Sequence, residues 1–114
     1  MLSKHSRLPR EAFLSTFKAA RRTRGVGIQV LYAPASTFKA SVVVSKKVAP
    51  LAVSRNRIRR VTYTTLRTLH TEIPLTGHWI IIFLPESKKY PLKEVIASLE
   101  TAIRSLLPSK SNSR

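Results

Sequence analysis

The chain has 114 residues, enough for one domain with a single core, and 43% of them are hydrophobic, as in an ordinary globular protein. It carries 21 Lys and Arg against 5 acidic residues, a net charge of +16 at pH 7, which a nucleic acid, a membrane surface or an acidic protein could each complement. Five scattered Glu residues, with no Asp and no Cys, argue against a self-contained metal-dependent nuclease, a thiolate nucleophile or a disulfide framework.

The first predicted element is a short helix from about Pro9 to Ala20. Proline suits a first helical turn, and Glu11 suits the positive end of the helix dipole. Phe13 and Phe17 are four residues apart and therefore lie on one face of this helix. Packing in the core is the ordinary role of such a pair.

Two strands are predicted next, over residues 28–32 and 38–45, with a turn at 34–36 between them. The second strand contains three consecutive valines, which favour extended structure. Residues 21–27 could hold a further edge strand, which the sequence signals poorly. The alternation of the first strand puts three residues on one side of the sheet: Ile28, Val30 and Tyr32.

A long amphipathic helix is predicted from about Leu51 to His70, with Pro50 before its start. The positions predicted to pack inward are Ile58, Val61, Leu66 and Leu69. The positions predicted to lie broadly opposite, on the presented face, are Asn56, Arg59, Arg60, Tyr63 and Arg67.

The apolar run Trp79–Phe83 predicts a central strand that is buried on both faces. A closing helix is predicted over residues 91–107, ended by Pro108, and residues 108–114 are predicted to be a disordered basic tail. The positions of this closing helix that are predicted to pack inward are Leu92, Val95, Ile96, Leu99, Ile103 and Leu106.

Residues 1–114 are therefore interpreted as one small α+β domain, with no internal repeat and no linker. The longest apolar run, Trp79–Leu84, is too short to cross a bilayer, and residues 1–10 do not resemble a signal peptide. We therefore expect a cytoplasmic protein.

The most informative feature is the distribution of basic residues. Between residues 12 and 71 there are 12 Lys or Arg side chains and no acidic one, and the densest cluster is Ala52-Val53-Ser54-Arg55-Asn56-Arg57-Ile58-Arg59-Arg60. Arginine can grip two phosphate oxygens or stack on a base. A solvated helix face is the alternative, but no acidic residue one turn away neutralises this cluster.

Together with Ser45-Lys46-Lys47-Val48, this cluster resembles the protein subunit of bacterial ribonuclease P. The resemblance covers about residues 7–107. Its other segments are Arg7-Leu8, Phe13 with Phe17, Val30-Leu31-Tyr32, and Gly77 to Phe83.

The resemblance implies an α+β fold of order α-β-β-β-α-β-α, in which a four-stranded sheet contains a left-handed β-α-β crossover. It also implies a function. In that family an RNA catalyst removes the 5′ leader of precursor tRNA with Mg²⁺ bound mainly through the RNA. The protein assists leader binding and metal affinity, and supplies no catalytic residue.

The resemblance also assigns roles to residues of this chain. Those expected to bind the catalytic RNA are Lys46, Lys47, Arg55, Asn56, Arg57, Arg59 and Arg60. Arg67, on the presented face of the same helix, is expected to join them. Those expected to form a cleft for the single-stranded leader are Phe13, Phe17 and Tyr32. The chain departs from the family pattern at Tyr63-Thr64, where an Arg-Glu pair is common, within Ser41-Val42-Val43, where a Gly is usual, and at His78 and Leu84.

Two other functions fit a small basic protein. A ribosomal or other structural RNA-binding protein would share the size, charge and basic helix, but would have no use for a leader cleft. Insertion of the basic helix into the major groove of DNA is less favoured, because no helix-turn-helix partner accompanies it. His5, His70 and His78 have no metal-ligand spacing, so surface or capping roles are expected for them.

Overall fold

The computed structural model describes residues 7–107, which form three helices, one 3-10 helix and one four-stranded sheet. The expected order α-β-β-β-α-β-α is confirmed. The elements are α1 (Arg10–Ala19), β1 (Arg21–Gly25), β2 (Ile28–Ala33), β3 (Phe38–Val43), α2 (Ala52–Glu72), β4 (Gly77–Phe83), a 3-10 helix (Pro85–Lys89) and α3 (Leu92–Leu106).

The sheet has the strand order β1-β2-β4-β3. The pairs β1/β2 and β2/β4 are antiparallel, whereas β3 and β4 are parallel. β4 lies in the interior of the sheet, as its apolar run predicted. The α2 helix connects the neighbouring parallel strands β3 and β4, which is the expected β-α-β crossover, and its left-handed sense stays a prediction of the resemblance.

Each face of the sheet packs against different helices. The larger core lies between the sheet and α2 with α3, and Ile28, Val30 and Tyr32 all point into it, as their alternation predicted. A smaller cluster lies on the other face under α1 and contains Leu31 and Ile80. The two faces therefore have separate hydrophobic clusters, built from alternate residues of the same strands.

The edge strand β1, Arg-Arg-Thr-Arg-Gly, contains no large apolar residue and is held by its backbone pairing with β2. The turn after it is fixed at Gly27, whose φ of +71° is readily adopted only by glycine. The hydroxyl of Ser98 on α3 accepts a hydrogen bond from the Val26 N–H at 3.0 Å. These contacts explain a strand that the sequence signals poorly.

The presented face predicted for the long helix was wrong at Tyr63. Tyr63 is buried, and so is the neighbouring Thr62, while Val61 is only partly covered. The Thr62 hydroxyl donates to the Ile58 carbonyl at 2.7 Å, which satisfies this polar group without a second element. The inward stripe of α2 is thus turned toward Tyr63 relative to the prediction.

Trp79 and His70 each find a hydrogen-bond partner in the loop between α2 and β4. Trp79 is fully buried, and its indole N–H donates to the Thr76 carbonyl at 3.0 Å. The Nδ1 atom of His70 accepts a hydrogen bond from the Leu75 N–H at 2.9 Å and so closes the loop after α2. The predicted tail, residues 108–114, and His5 lie outside the described residues. Within residues 7–107 no helix is long and apolar enough to span a membrane.

Candidate nucleic-acid interface

Basic side chains gather at the end of the sheet where β3 and β4 terminate. The parallel strands β3 and β4 end on the same side of the sheet. β1 also ends there, because Gly25 pairs with Ile28 of β2, and Ile28 pairs with Phe83 at the end of β4. Lys46 and Lys47 follow β3 and are exposed, and α2 begins beside them. We call this edge the basic end. Its exposed cations from the other strands and their loops are Arg24, Lys88 and Lys89.

Two arginines of α2 are engaged within the protein. The guanidinium of Arg55 donates to the carbonyls of Ala49 and Pro50, at 3.0 and 2.8 Å, and so fixes the segment that enters the helix. Arg59 donates to the side-chain oxygen of Asn56 at 2.8 Å. One nitrogen of each guanidinium is used in this way, which restrains the side chain and leaves other donors of the fork for an external anion.

The remaining predicted RNA contacts on α2 fall on two flanks. Asn56, Arg60 and Arg67 are separated by four and seven residues, so they form one exposed stripe along the helix. Arg57 lies on another flank, where it lines a pocket with residues from β4 and α3. The helix therefore presents two basic surfaces rather than the single face that the sequence indicated.

The predicted aromatic pair of α1 is present as a stacked unit. The ring centroids of Phe13 and Phe17 are 6.1 Å apart, with 25° between the ring planes. Phe13 also packs against the small cluster beneath α1, whereas Phe17 is 37% exposed. The Arg22 guanidinium lies 4.9 Å from the Phe17 ring centroid and donates to the Phe17 carbonyl at 2.9 Å. Core packing and ring presentation thus both occur in this pair.

Beside α1, the sheet leaves one row of side chains partly open. Leu31 and Ile80 are paired across β2 and β4 and are fully buried. Two residues further toward the basic end, the residues of the next row are only partly covered or are exposed. This open row consists of Arg24, Gln29, Ile82 and Val43. The face of the sheet beside α1 thus presents this open row, with the Phe13–Phe17 pair on the neighbouring helix and the Arg24 cation on the edge strand β1.

The structure does not bring Tyr32 together with the two phenylalanines. Tyr32 is 4% exposed and points into the larger core, on the face of the sheet opposite α1. Its ring packs against Trp79, with 4.5 Å between centroids. The predicted three-residue aromatic cleft is corrected accordingly, because strand alternation places Tyr32 with Val30 and away from Phe13.

The sequence model of the family described as Ribonuclease P matches residues 2–107 of this chain. The chain belongs to the ribonuclease P protein family. A ribonuclease P protein component from Thermus scotoductus is 37% identical over 87 residues, which are 76% of this chain and 51% of the relative. One from Thermus thermophilus is 32% identical with the same coverage. The chain thus spans about half the length of the curated relatives it matches.

Solved structures of this family share the fold. A Staphylococcus aureus RNase P protein, described as a mutant with defective mRNA degradation activity, superposes with a TM-score of 0.77 at 24% identity, covering 90% of this chain and 88% of that one. The RNase P protein from Thermotoga maritima gives 0.77 at 20% identity, covering 90% of this chain and 98% of that one. At these identities the likeness establishes the architecture alone.

That Mg²⁺ is bound mainly through the RNA stays a prediction of the resemblance. Residues 7–107 contain no group of three or more His, Cys, Asp or Glu side chains that could ligate a metal. The Glu86 carboxylate, which lies at the basic end, is 3.6 Å from the Arg24 guanidinium.

The sequence reasoning missed several members of this interface. Arg22 and Arg24 lie in the poorly signalled β1 strand, although the Arg-Arg-Thr-Arg run was a visible basic signal. Lys88 was missed because it joins Arg57 only through the fold, more than thirty residues apart in the chain. Charge patterning could have indicated the first two, but not the third.

At the opposite end of the sheet lies His78, flanked by Lys39 on β3 and Ala33 on β2. Partial burial, and then the nearby positive charge of Lys39, lower the pKa of His78 below its ordinary value. His78 is therefore neutral near pH 7. It is an uncharged member of the sheet face, at the end away from the main basic clusters.

Proposed function

We propose that this chain acts as the protein component of a ribonuclease P ribonucleoprotein. In this role it binds the catalytic RNA and the 5′ leader of precursor tRNA, and assists the endonucleolytic removal of that leader. Family membership carries the proposal, together with the presence on one small domain of a basic end and of a partly exposed aromatic pair beside an open row of the sheet. The catalyst in this proposal is the RNA, and no protein side chain is assigned a catalytic role.

The catalytic RNA is proposed to lie along α2, starting from the basic end. The exposed stripe on α2 offers two guanidinium forks and one amide at helical spacing, which suits successive phosphates of a folded RNA. Lys46 and Lys47 extend this surface toward the end of β3. Arg55 and Arg59 are held by protein oxygens, so they reach the RNA with side chains that are already restrained.

The leader is proposed to lie on the other face, in the groove between α1 and the open row. Single-stranded nucleic acid is bound by aromatic rings on which bases stack and by cations that follow the backbone. Phe17 supplies a partly exposed ring and Arg24 a cation at the rim, while Ile82 supplies an apolar floor. Such contacts are tolerant of sequence, as a site for the leaders of many precursors requires.

Mg²⁺ is proposed to be bound mainly through the RNA. The arginines would neutralise phosphates that counterions otherwise neutralise, so the RNA would need less Mg²⁺ to fold. We therefore expect the protein to matter most when Mg²⁺ is scarce.

The deciding experiment measures precursor tRNA cleavage by a bacterial ribonuclease P RNA at low Mg²⁺, with and without the protein, beside the protein alone. Stimulation only in the presence of RNA is the expected result. Cleavage by the protein alone would contradict the proposed division of labour. Tight RNA binding without stimulation would instead favour a structural RNA-binding protein.

The leader groove has its own test in two variants of one helix. Phe17→Ala removes the exposed ring, and Leu14→Ala removes a side chain that is 55% exposed but not aromatic. Phe17→Ala is expected to weaken binding of precursor tRNA to the RNA–protein complex by roughly 5- to 150-fold, the loss of one base stack, and to leave mature tRNA unaffected. Equal losses for precursor and mature tRNA would contradict a leader site.

A further inference from the structure

A pocket of about 220 Å³ opens at the basic end, on the face of the sheet covered by α2 and α3. It lies between the start of α2, the end of β4, the 3-10 helix and the start of α3. Its lining residues are Val48, Ser54, Arg57, Ile58, Phe83, Ser87, Lys88, Tyr90, Leu92 and Val95. The leader groove described above lies on the opposite face, so this pocket is a separate site.

The lining divides into an apolar interior and a polar, cationic remainder. Phe83 and Val95 are buried core residues that form part of the interior. Arg57 and Lys88 are exposed, and the Tyr90 ring is 42% exposed. None of the described residues that line the pocket is acidic. The lining therefore combines a flat apolar surface, an aromatic ring and two positive charges.

The wall that carries Lys88 and Tyr90 is fixed rather than loose. The Leu84 N–H donates to the Gly27 carbonyl at 2.9 Å, and the Ser87 N–H donates to the Leu84 carbonyl at 2.8 Å. A Cβ atom built on Gly27 would lie 2.6 Å from the Ser87 Cα atom, so the β1–β2 turn and the 3-10 helix are in close contact. The pocket is therefore preformed, which lowers the ordering cost of binding.

We infer that this pocket binds one unpaired nucleotide of an RNA, with the base against the apolar interior and Tyr90, and the phosphate between Arg57 and Lys88. The volume is below the roughly 300–1,000 Å³ of pockets for drug-sized ligands, so it suits a single base rather than a larger group. The two cations, with no carboxylate in the lining, suit an anion such as a phosphate. The exposed ring and the apolar interior match a base, and so favour a nucleotide over an acidic peptide.

The inference deepens the proposed function and rests on it, since the pocket shares Arg57 with the helix proposed to hold the catalytic RNA. An RNA that follows α2 could turn one nucleotide out of its stack into the pocket. The proposed RNA surface would then continue around α2, from the exposed stripe of Asn56, Arg60 and Arg67, called the Asn56 stripe below, to the flank that carries Arg57.

The test uses the full chain and five-residue single-stranded RNAs, pentauridylate and pentaadenylate, with pentaglutamate as the competing acidic peptide. Backbone amide NMR shifts are expected to be largest at Ser54, Ser87 and Tyr90 with either RNA. Shifts restricted to α1 and the Asn56 stripe would overturn the inference. Shifts at the pocket that are as large with pentaglutamate as with RNA would also overturn it, in favour of an acidic protein partner.

Three exposed side chains give matched variants. Tyr90→Ala is expected to weaken pentanucleotide binding at the pocket, followed by the Ser54 and Ser87 amide shifts, by about 5- to 150-fold, and Tyr90→Phe is expected to retain most of it, since stacking requires the ring alone. Lys88→Ala should weaken binding and reduce its salt dependence. Lys93→Ala removes the same charge from a residue outside the pocket lining and serves as the control. Equal effects of Lys88→Ala and Lys93→Ala would contradict the site.

Failure of this inference and failure of the proposed function can be told apart. If the chain does not stimulate a ribonuclease P RNA but Tyr90→Ala and Lys88→Ala lose pentanucleotide binding, the pocket is supported and the proposed function is not. If the chain stimulates cleavage but both variants bind the pentanucleotides at the pocket, as followed by the Ser54 and Ser87 amide shifts, as tightly as the unaltered chain does, the pocket inference is overturned.

Discussion

The hydroxyl oxygen of Tyr63 accepts a hydrogen bond from the backbone N–H of Val42, with 3.2 Å between the two atoms. Val42 lies on β3, which is the edge strand opposite β1, so its outward N–H has no neighbouring strand of the sheet to which it can donate. On the same edge the Ala40 carbonyl accepts a hydrogen bond from the Leu8 N–H at 2.9 Å. The Tyr63 side chain and the segment before α1 thus form hydrogen bonds with backbone groups of β3 that would otherwise have no partner in the sheet.

Tyr63→Phe should destabilise the fold by about 1 to 3 kcal/mol, because it leaves the buried Val42 N–H without an acceptor while it keeps the packed ring. The free energy of unfolding from urea titration measures this loss. Tyr90→Phe removes the hydroxyl of a partly exposed ring and is expected to change stability by less than about 0.5 kcal/mol. Similar stabilities of the two variants would show that the Tyr63 hydroxyl is not required.

Tyr63 also shows what the sequence could and could not predict. Helical periodicity correctly placed Leu66 and Leu69 in the core, because leucine at such spacing has one physical role. Tyrosine has both an apolar ring and a polar tip, so its burial depends on an acceptor or donor from another element. The unpaired N–H of Val42 is a property of strand order, which local sequence does not contain.

The two faces of the sheet set a similar limit. Alternation correctly grouped Tyr32 with Val30, and the continuous apolar run correctly placed Trp79 in the central strand. Nothing in that pattern states which face α1 covers. The resemblance supplied the family and the fold, whereas the position of Tyr32 relative to Phe13 required the structure.

Gly77→Ala should be among the more destabilising single substitutions at the start of β4. Gly77 has a φ of +93°, which an alanine adopts only with strain, and an added Cβ atom would overlap the Tyr32 ring and lie 2.8 Å from the Ala33 carbonyl oxygen. We expect a loss of roughly 2 kcal/mol or more. Thermal and urea unfolding measure it, with the exposed neighbour Thr76→Ala as a nearly neutral control. A variant as stable as the unaltered chain would contradict this close packing.

His78 should make the fold less stable at mildly acidic pH. Its pKa is lowered in the folded state, chiefly by burial and further by Lys39, so the unfolded chain binds a proton more readily than the folded one. The stabilisation is complete above the unfolded pKa, about 6.5, and declines as pH falls through that value. Urea unfolding at pH 7.5 and 5.5 should show a larger decrease for the unaltered chain than for His78→Gln. Equal decreases would show that His78 is not the source of the pH dependence.

The exposed stripe of α2 should contribute to the salt dependence of RNA binding in proportion to the phosphates it contacts. Arg60→Ala and Arg67→Ala are each expected to weaken binding of a bacterial ribonuclease P RNA and to reduce the slope of log K against log salt by about 0.7 to 0.9, the value for one lost phosphate contact. Arg104→Ala removes the same charge from an exposed position in the last turn of α3 and should leave the slope unchanged. If all three variants reduced the slope equally, net charge alone would account for binding. A reduction confined to Arg60 and Arg67 would place the RNA on this flank of the helix.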